Sequence, residues 1–279
     1  MRKLISILFI SVPILFSCGK KAKESDNNKN NNTTKTAVVL DSLAFEVDTF
    51  RVKETEKKCP NDDCGTVDLY YERIRKPMKP VHDSINMYID TLVLMALREM
   101  GGDEYKYDLK KRADAFFAMK REMEADDNES GGSWDFNLNV DIFRSCNEIF
   151  TVSSGWGGYT GGAHGNYSSQ TTCFFVSTGK VVTMRDIFKD LAAVNKIGVK
   201  YFKNDNGLDA DIDCNDQGWD FTDEDFQLNE NFDINSESIT WQFDSYEIGP
   251  YAAGAPSVKI PMKELSGYMK VKFTDVEVK

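Results

Sequence analysis

Two histidines, His82 and His164, are the only imidazole groups in this sequence of 279 residues. Protein zinc sites draw on several histidine or cysteine ligands, so no multi-histidine metal centre and no cofactor is predicted. His164 precedes Gly165 in a glycine-rich stretch, where an imidazole could serve as an acid or base. No nucleophile, oxyanion donor or paired carboxylate stands at a recognisable spacing nearby. We therefore expect His164 to fix its loop by hydrogen bonding, and His82 to lie at the surface or cap a helix.

The densest group of glycine and aromatic residues surrounds His164, with six glycines between residues 155 and 165. Glycine inside a strand usually interrupts a regular ladder, so we predict an irregular connection over residues 155–166 between two strands. Two interpretations stay open: a sharp turn whose aromatic rings cap a core, or a binding loop held by a rigid scaffold. A phosphate cradle is not expected, because no Gly-Lys-Ser/Thr follows the glycines.

A second loop rich in glycine and aromatic residues is predicted from Tyr246 to Gly254. We expect the two loops to converge on one side of the scaffold and to supply the contacts to a ligand. The hypothesised ligand-binding residues are Tyr159, Gly161, Gly162, His164, Asn166, Tyr246, Glu247, Pro250 and Tyr251.

An acidic segment resembles a calcium loop, because oxygen-bearing side chains alternate at Asp209, Asp211, Asp213 and Asn215 and end at Asp220. Two positions depart from that pattern. Cys214 replaces the glycine of the sharp turn, and an aspartate replaces the bidentate glutamate at the last position. These departures favour a solvated acidic insertion over a metal site.

The N-terminus is typical of an export signal, with Arg2 and Lys3 before an apolar run over residues 4–16. Cys18 follows at the expected break, which resembles a bacterial lipoprotein signal. This resemblance implies a signal peptide over residues 1–17 and acyl chains such as palmitate on Cys18. Each buried methylene adds about 0.8 kcal/mol, so several chains make a durable membrane anchor. The predicted location is the bacterial cell envelope, at the outer membrane, with the folded part on its periplasmic or surface face.

The mature chain divides into a tether and a folded part. Residues 18–36 contain the lipidated cysteine and a polar run that cannot bury enough apolar surface to fold. We predict an N-terminal α+β domain over 37–130 and a C-terminal α+β domain over 131–279. The formal net charge of −11 argues against a nucleic-acid partner, whose binding draws on clustered basic residues.

Five cysteines besides Cys18 lie in an exported chain, where disulfides are favoured over thiolate metal sites. Cys59 and Cys64 could close a small ring across a hairpin turn, which is our disulfide hypothesis. Cys146 and Cys173 could meet across paired strands, and Cys214 competes for either partner. Because five is odd, one thiol stays free or pairs elsewhere.

Apolar residues recur at helical spacing over residues 81–100, 109–125 and 191–203. Strict alternation from Trp134 to Ile142 indicates a strand with one buried face. The other strand-like runs are 45–53, 66–75, 148–153, 168–177, 181–184, 226–228, 238–243 and 258–261. Consecutive strands separated by short links predict an α+β fold, an antiparallel sheet with helices packed against it.

Four motifs in order resemble a domain of unknown function found in the extracellular region of RsiV, the lysozyme-sensing anti-sigma-V factor. The motifs are residues 159–165, 178–180 with 186–188, 246–254, and 258–261. The same domain accompanies a peptidoglycan N-acetylmuramic acid deacetylase. Residues 45–124 resemble the companion domain that usually precedes it. The resemblance implies an α+β envelope module and, by analogy with RsiV, lysozyme binding; the sequence shows no deacetylase domain.

These observations favour a lipid-anchored envelope protein that binds a lysozyme-type protein or a peptidoglycan fragment, without catalysis. The alternative is an enzyme that modifies cell-wall glycan with His164 or Glu247 as acid or base. A structural subunit without a small ligand is a third hypothesis.

Overall fold

The computed structural model describes residues 44–54, 64–76, 80–127 and 132–275. All of them belong to one compact unit, Leu40–Lys279. The predicted signal peptide, Cys18 and the predicted tether lie outside these ranges. Within the described part of the chain, no helix combines the length and the apolar character needed to cross a membrane.

The larger sheet has five strands in the order β1-β2-β3-β4-β5. The strands are β1 Ala44–Lys53, β2 Thr66–Lys76, β3 Asp135–Cys146, β4 Ile149–Tyr159 and β5 Asn166–Phe175. All neighbours are antiparallel except β2 and β3, which are parallel. A parallel pair needs a crossover connection, and two helices supply it here. The sheet therefore joins strands from both sides of the boundary predicted near residue 130.

The crossover consists of α1 Pro80–Glu99 and α2 Leu109–Asp127. Their apolar stripes pack on one face of the large sheet, where Ile85, Ile89 and Phe116 are almost fully buried. The helical spacing in the sequence predicted both helices. His82, in the first turn of α1, is buried against Phe150 rather than placed at the surface, so the surface prediction was wrong.

The opposite face of the large sheet carries the C-terminal layer. Its helices are α3 Met184–Ile187, α4 Leu191–Asp205 and α5 Met262–Leu265. Its strands, β6 Phe232–Ile234, β7 Ser238–Gln242 and β8 Ser257–Pro261, form an antiparallel three-stranded sheet. Trp241 and Phe202 lie at the centre of this second core, which also includes Ile149 of β4. The fold is α+β as predicted, with two sheets instead of one and no strand at residues 226–228.

The irregular connection predicted over residues 155–166 is shorter in the structure, and the prediction was wrong for residues 155–159, which belong to β4. β4 continues in register through Gly155, Gly157 and Gly158, and only residues 160–165 form the loop to β5. β4 lies between β3 and β5, so both edges of its backbone find hydrogen-bonding partners. The Asn137 side chain lies over Gly157, where an added Cβ would be 3.1 Å from the Asn137 Nδ2 atom. Neighbouring strands thus stabilise a segment of low intrinsic strand propensity.

Cys64 is disulfide-bonded, and Cys59, its predicted partner, lies outside the described residues. Cys146, Cys173 and Cys214 are free, buried thiols, so no cross-strand disulfide forms between them. Cys146 in β3 and Cys173 in β5 are separated by β4. Two strand spacings amount to about 9–10 Å, beyond the Cα separation of about 7 Å that a disulfide tolerates. Burial raises the pKa of the Cys146 thiol to about 11 and that of Cys173 to about 12, which keeps both protonated.

Candidate ligand-binding site

The two predicted loops meet at one end of the large sheet, where four aromatic side chains are in contact. The His164 ring stacks on Tyr251, with centroids 4.1 Å apart and an interplanar angle of 19°. The Tyr251 ring centroid also lies 5.3 Å from that of Tyr246 and 6.4 Å from that of Tyr167. We call His164, Tyr167, Tyr246 and Tyr251 the aromatic cluster.

Most of the aromatic cluster faces solvent. Tyr246 is 63% exposed and Tyr167 is 46% exposed, and His164 is exposed as well. Tyr251 is half-buried at the centre, and its pKa is raised, chiefly by desolvation and next by the neighbouring Tyr167 and Tyr246 phenols. Tyrosine offers a large apolar face and one polar atom, the combination enriched in binding surfaces. The cluster can therefore contact a ligand through both ring faces and hydroxyl groups.

Asp244 attaches the second loop to β5. Its carboxylate accepts a hydrogen bond of 2.5 Å from the Ser168 hydroxyl and one of 3.0 Å from the Ser169 N–H. The Ser245 hydroxyl donates to the Tyr167 phenol oxygen at 2.9 Å. Hydrogen bonds to a charged acceptor are stronger than neutral ones, so the carboxylate holds the loop firmly against the strand.

Glu247 and Tyr246 shape the second loop itself. The Glu247 carboxylate accepts the Asp244 N–H at 2.8 Å and the Asn229 side-chain N–H at 2.9 Å, through different oxygens. Tyr246 has a φ of 68°, a left-handed conformation that is uncommon outside glycine, and its side chain is largely exposed. Pro250 precedes the short 3₁₀ turn Tyr251–Ala253, which begins at Tyr251 of the cluster. Both oxygens of Glu247 thus serve the loop, which leaves little for acid or base chemistry.

The remaining predicted site residues build the first loop. The Tyr159 hydroxyl donates to the Gly162 carbonyl at 3.0 Å, which closes the turn. Gly161 and Gly162 adopt φ values of 92° and 94°, which only glycine reaches without strain. The His164 Nδ1 atom lies 3.1 Å from the Gly165 carbonyl oxygen, a hydrogen bond within the loop. Asn166 begins β5 beside the cluster and is exposed.

Sequence reasoning missed two residues that position the site: Asn231 and Asp244. Asn231 pairs with the edge of β5 as a short strand would, accepting the Thr171 N–H at 2.7 Å and donating to the Ser169 carbonyl at 2.8 Å. Isolated Asn and Asp residues in loops give no sequence signal for such a long-range contact.

The acidic segment encloses an ammonium group of the protein itself. The Nζ atom of Lys203, a buried residue of α4, donates to the Ala210 and Ile212 carbonyls at 3.2 and 2.8 Å and pairs with the Asp223 carboxylate. The Asp209 and Asp213 carboxylates accept backbone N–H groups of their own loop. Among the described residues, no group of three or more ligating side chains suits a metal ion. This arrangement fits a structural insertion that contains its own cation.

Negative charge is concentrated in the segment of the chain that supplies the second loop. Residues 204–258 contain no Lys or Arg and 14 Asp or Glu. The rest of the chain holds all 34 basic and only 31 of the 45 acidic residues, so the acidic balance arises from this one segment. Residues 145–179, which supply the first loop, also lack Lys and Arg. Both segments that supply the loops therefore carry net negative charge, which would attract a basic partner.

The fold and site define a two-sheet α+β protein with an exposed aromatic surface on two joined loops. Residues 185–263 match the family model of DUF3298, described as a protein of unknown function. The resemblance to a domain of unknown function is thereby confirmed. No curated protein matches the sequence.

Two solved structures share the fold. A DUF3298 family member from Bacteroides fragilis superposes with a TM-score of 0.65 at 19% identity, covering 83% of this chain and 96% of its own. A DUF3298 family protein from Pseudomonas aeruginosa PAO1 gives a TM-score of 0.55 at 21% identity, covering 82% of this chain and 95% of its own. At these identities the likeness concerns the fold. It extends well beyond the matched domain, into the first sheet and its helices.

Proposed function

We propose that this protein is a lipid-anchored binding protein of the bacterial cell envelope, which recognises a lysozyme-type protein or a peptidoglycan fragment through the aromatic cluster. The observation that carries the proposal is the contact between the two loops. Four rings from distant parts of the sequence form one surface, and Asp244 holds that surface in place. A preorganised surface loses little conformational entropy when it binds, which favours recognition.

The location follows from the N-terminal sequence. Acyl chains on Cys18 would hold the protein on the membrane, and residues 19–36 would let the folded part reach its ligand. Replacement of Cys18 by serine should release the protein from the membrane fraction. Metabolic labelling with a palmitate analogue provides the direct measurement, and equal labelling of Cys18→Ser would contradict the anchor.

Two features support the choice of ligand. Lysozyme-type proteins are basic, and the acidic segment beside the cluster would attract them. Peptidoglycan fragments offer sugar rings with apolar faces and polar rims, which suit tyrosine side chains. The resemblance to the RsiV domain implies the first class, and the envelope location allows both.

Binding of the purified full chain to each ligand class tests the proposal. Tyr251→Ala removes the central ring of the cluster and should weaken binding at least about 10-fold, because central aromatic residues dominate interfaces. Phe143→Ala is the matched control, since Phe143 is a 42% exposed aromatic residue near the opposite end of β3. Equal losses in the two variants, or no binding to either ligand class, would refute the proposal.

The alternative is an enzyme that modifies cell-wall glycan with His164 or Glu247. The contact of His164 with the central Tyr251 is the feature that favours it, because a ligand on the cluster would touch the imidazole. The two hydrogen bonds of Glu247 oppose a role for that carboxylate. Incubation with purified glycan decides the matter: new products that disappear in His164→Ala would establish the enzyme.

A further inference from the structure

The outer edge of β5 is closed along most of its length. In an antiparallel strand, the N–H and C=O groups of alternate residues point away from the neighbouring strand. On β5 these residues include Ser169 and Thr171, whose N–H groups donate to the Asp244 and Asn231 side chains. Further along, the Cys173 carbonyl accepts the Val182 N–H and the Phe175 N–H donates to the Lys180 carbonyl.

Tyr167 is the next residue whose backbone groups face the outer edge. It differs from the others because these groups have no partner among the described residues. It lies opposite Gly157 in the register, two residues before Ser169, so its N–H and C=O also point to the outer edge. No described residue donates to this carbonyl or accepts from this N–H. The edge of β5 therefore presents one open donor and one open acceptor at Tyr167, beside the aromatic cluster.

From this geometry we infer that Tyr167 binds a trans secondary amide of the ligand, and that this amide is the N-acetyl group of an amino sugar. The Tyr167 N–H donates to the acetyl carbonyl and the Tyr167 carbonyl accepts the amide N–H, as in a single rung of a β-ladder. The sugar ring rests on the exposed tyrosine faces, which cover its apolar C–H surface. The inference rests on the proposed function and names the ligand class that the cluster selects.

An isolated amide fits this edge better than an extended peptide does. A peptide that adds a strand needs open backbone groups at successive alternate positions. At Ser169 and Thr171 those positions are occupied by Asp244 and Asn231. On the other side the chain turns away, and the Gly165 carbonyl is engaged by His164. The open N–H and C=O of Tyr167 match the one carbonyl and the one N–H of an acetamido group.

Charge makes the choice of amide testable. Removing the acetyl group of an amino sugar exposes an amine that is cationic at neutral pH. Residues 145–179 and 204–258, which include the two loops of the site, contain no Lys or Arg. A site that attracted sugars only by charge would therefore prefer the amine. A site that forms hydrogen bonds with the amide prefers the acetylated sugar.

The decisive experiment compares three forms of the same glycan strands, freed of their stem peptides: native, de-N-acetylated, and chemically re-N-acetylated. Calorimetry with the purified full chain should show binding of the first and third forms. The second form should bind at least about 10-fold more weakly, because an unmade hydrogen bond at a desolvated site is costly. Equal or tighter binding of the de-N-acetylated strands overturns the inference.

A lysozyme-type protein and an extended peptide serve as further ligands in the same assay. Binding of the lysozyme-type protein without binding of any glycan overturns the inference and leaves the proposed function standing. Binding of the extended peptide alone overturns both. Failure of every ligand to bind refutes the proposed function as well.

Two measurements locate the contact on Tyr167. In ¹H–¹⁵N spectra, saturation with native glycan should shift the Tyr167 amide proton downfield, more than those of Ser169 and Thr171, which are already bonded. Tyr167→Pro should bind at least about 10-fold more weakly than Tyr167→Ala. Both variants lack the tyrosine ring, and only the proline variant also lacks the backbone N–H. An edge strand tolerates proline at a position whose N–H faces outward. An unmoved Tyr167 amide, or equal affinities of two folded variants, overturns the inference.

Discussion

Single polar side chains hold the candidate site together. Asp244 lies far along the chain from β5, yet its carboxylate bonds both Ser168 and Ser169. Asn231 satisfies the strand edge next to it. These residues replace a sixth strand, so that β5 is an edge strand without a long open edge. Such closure protects against edge-to-edge aggregation and limits recognition to one position.

Replacement of Asp244 tests this account at the residue scale. Asp244→Ala leaves the Ser169 N–H without its acceptor and should lower the free energy of unfolding by about 1–3 kcal/mol. It should also weaken ligand binding, because the second loop loses its attachment to β5. Chemical denaturation and calorimetry measure the two effects. Asp211→Ala removes the same charge from an exposed position of the acidic segment and should change neither quantity.

A capping box organises the start of the C-terminal layer. Thr183 caps α3 by accepting the Asp186 N–H, and the Asp186 carboxylate accepts the Thr183 N–H and hydroxyl in return. The hydrogen bonds from Thr183 lower the pKa of Asp186, and Lys180 adds to that shift. The carboxylate thus stabilises the fold in its ionised form.

The stability contributed by Asp186 should depend on pH. A carboxyl group with a lowered pKa in the folded state stabilises the protein above its unfolded pKa, and this contribution is lost as the pH falls through the folded value. Asp186→Asn should therefore lower the free energy of unfolding by about 1 kcal/mol at pH 7. The difference from wild type should shrink steadily below about pH 4. A pH-independent difference would show that ionisation of Asp186 is irrelevant.

Two glycines, one just before β2 and one within β4, differ in the space around their Cα atoms. An added Cβ at Gly65, just before β2, would lie 2.3 Å from the Trp134 carbonyl oxygen and 2.9 Å from the Phe117 ring. At Gly155 in β4, the nearest atom would be the Ser168 carbonyl oxygen at 3.9 Å. The first glycine allows β2 to meet β3 and α2, whereas the second has open space above it.

Alanine substitutions at these positions should separate the two roles. Gly65→Ala should lower the free energy of unfolding by about 1–3 kcal/mol, because backbone atoms must move apart. Gly155→Ala should be neutral or raise it by up to about 1 kcal/mol, since alanine loses less conformational entropy on folding. Thermal denaturation of both variants provides the comparison. A large loss for Gly155→Ala would mean that β4 needs glycine there for another reason.

Charge distribution acts at the scale of the whole molecule. Residues 204–258 contain 14 carboxylates and no Lys or Arg. The buried Lys203 precedes them, and its ammonium group donates to a carbonyl within this segment. Their field should steer basic partners toward the aromatic cluster. Neutral sugars would not be steered in this way.

Salt dependence of association distinguishes the two ligand classes. For a lysozyme-type protein, the association rate constant should fall at least about 10-fold between low and high salt, because steering is screened within about 10 Å at 0.1 M. For an uncharged N-acetylated oligosaccharide the rate constant should stay nearly constant. Stopped-flow measurements over a salt series give both results. A salt-independent rate for the basic protein would remove the steering role of the acidic segment.

The chain's periodicity and turn residues were sufficient to predict the α+β class, both crossover helices, α4 and the alternating strand β3. These features depend on local spacing, which repeats with the geometry of the helix or strand. The two loops were predicted as well, because glycine and aromatic residues cluster visibly in the sequence. The path of β4 through its glycines was not predicted, since pairing with β3 and β5 on its two sides outweighs the low strand propensity of glycine.

By itself, the amino-acid sequence determined which segments become helices, strands and loops, and which residues carry rings or charge. Only the tertiary structure decided that His164 stacks on Tyr251, that Asp244 closes the edge of β5, and that Tyr167 is left open beside them. The reason is physical: local propensity acts over a few neighbouring residues. A contact across some 80 residues exists only after both cores have packed and brought its two sides together.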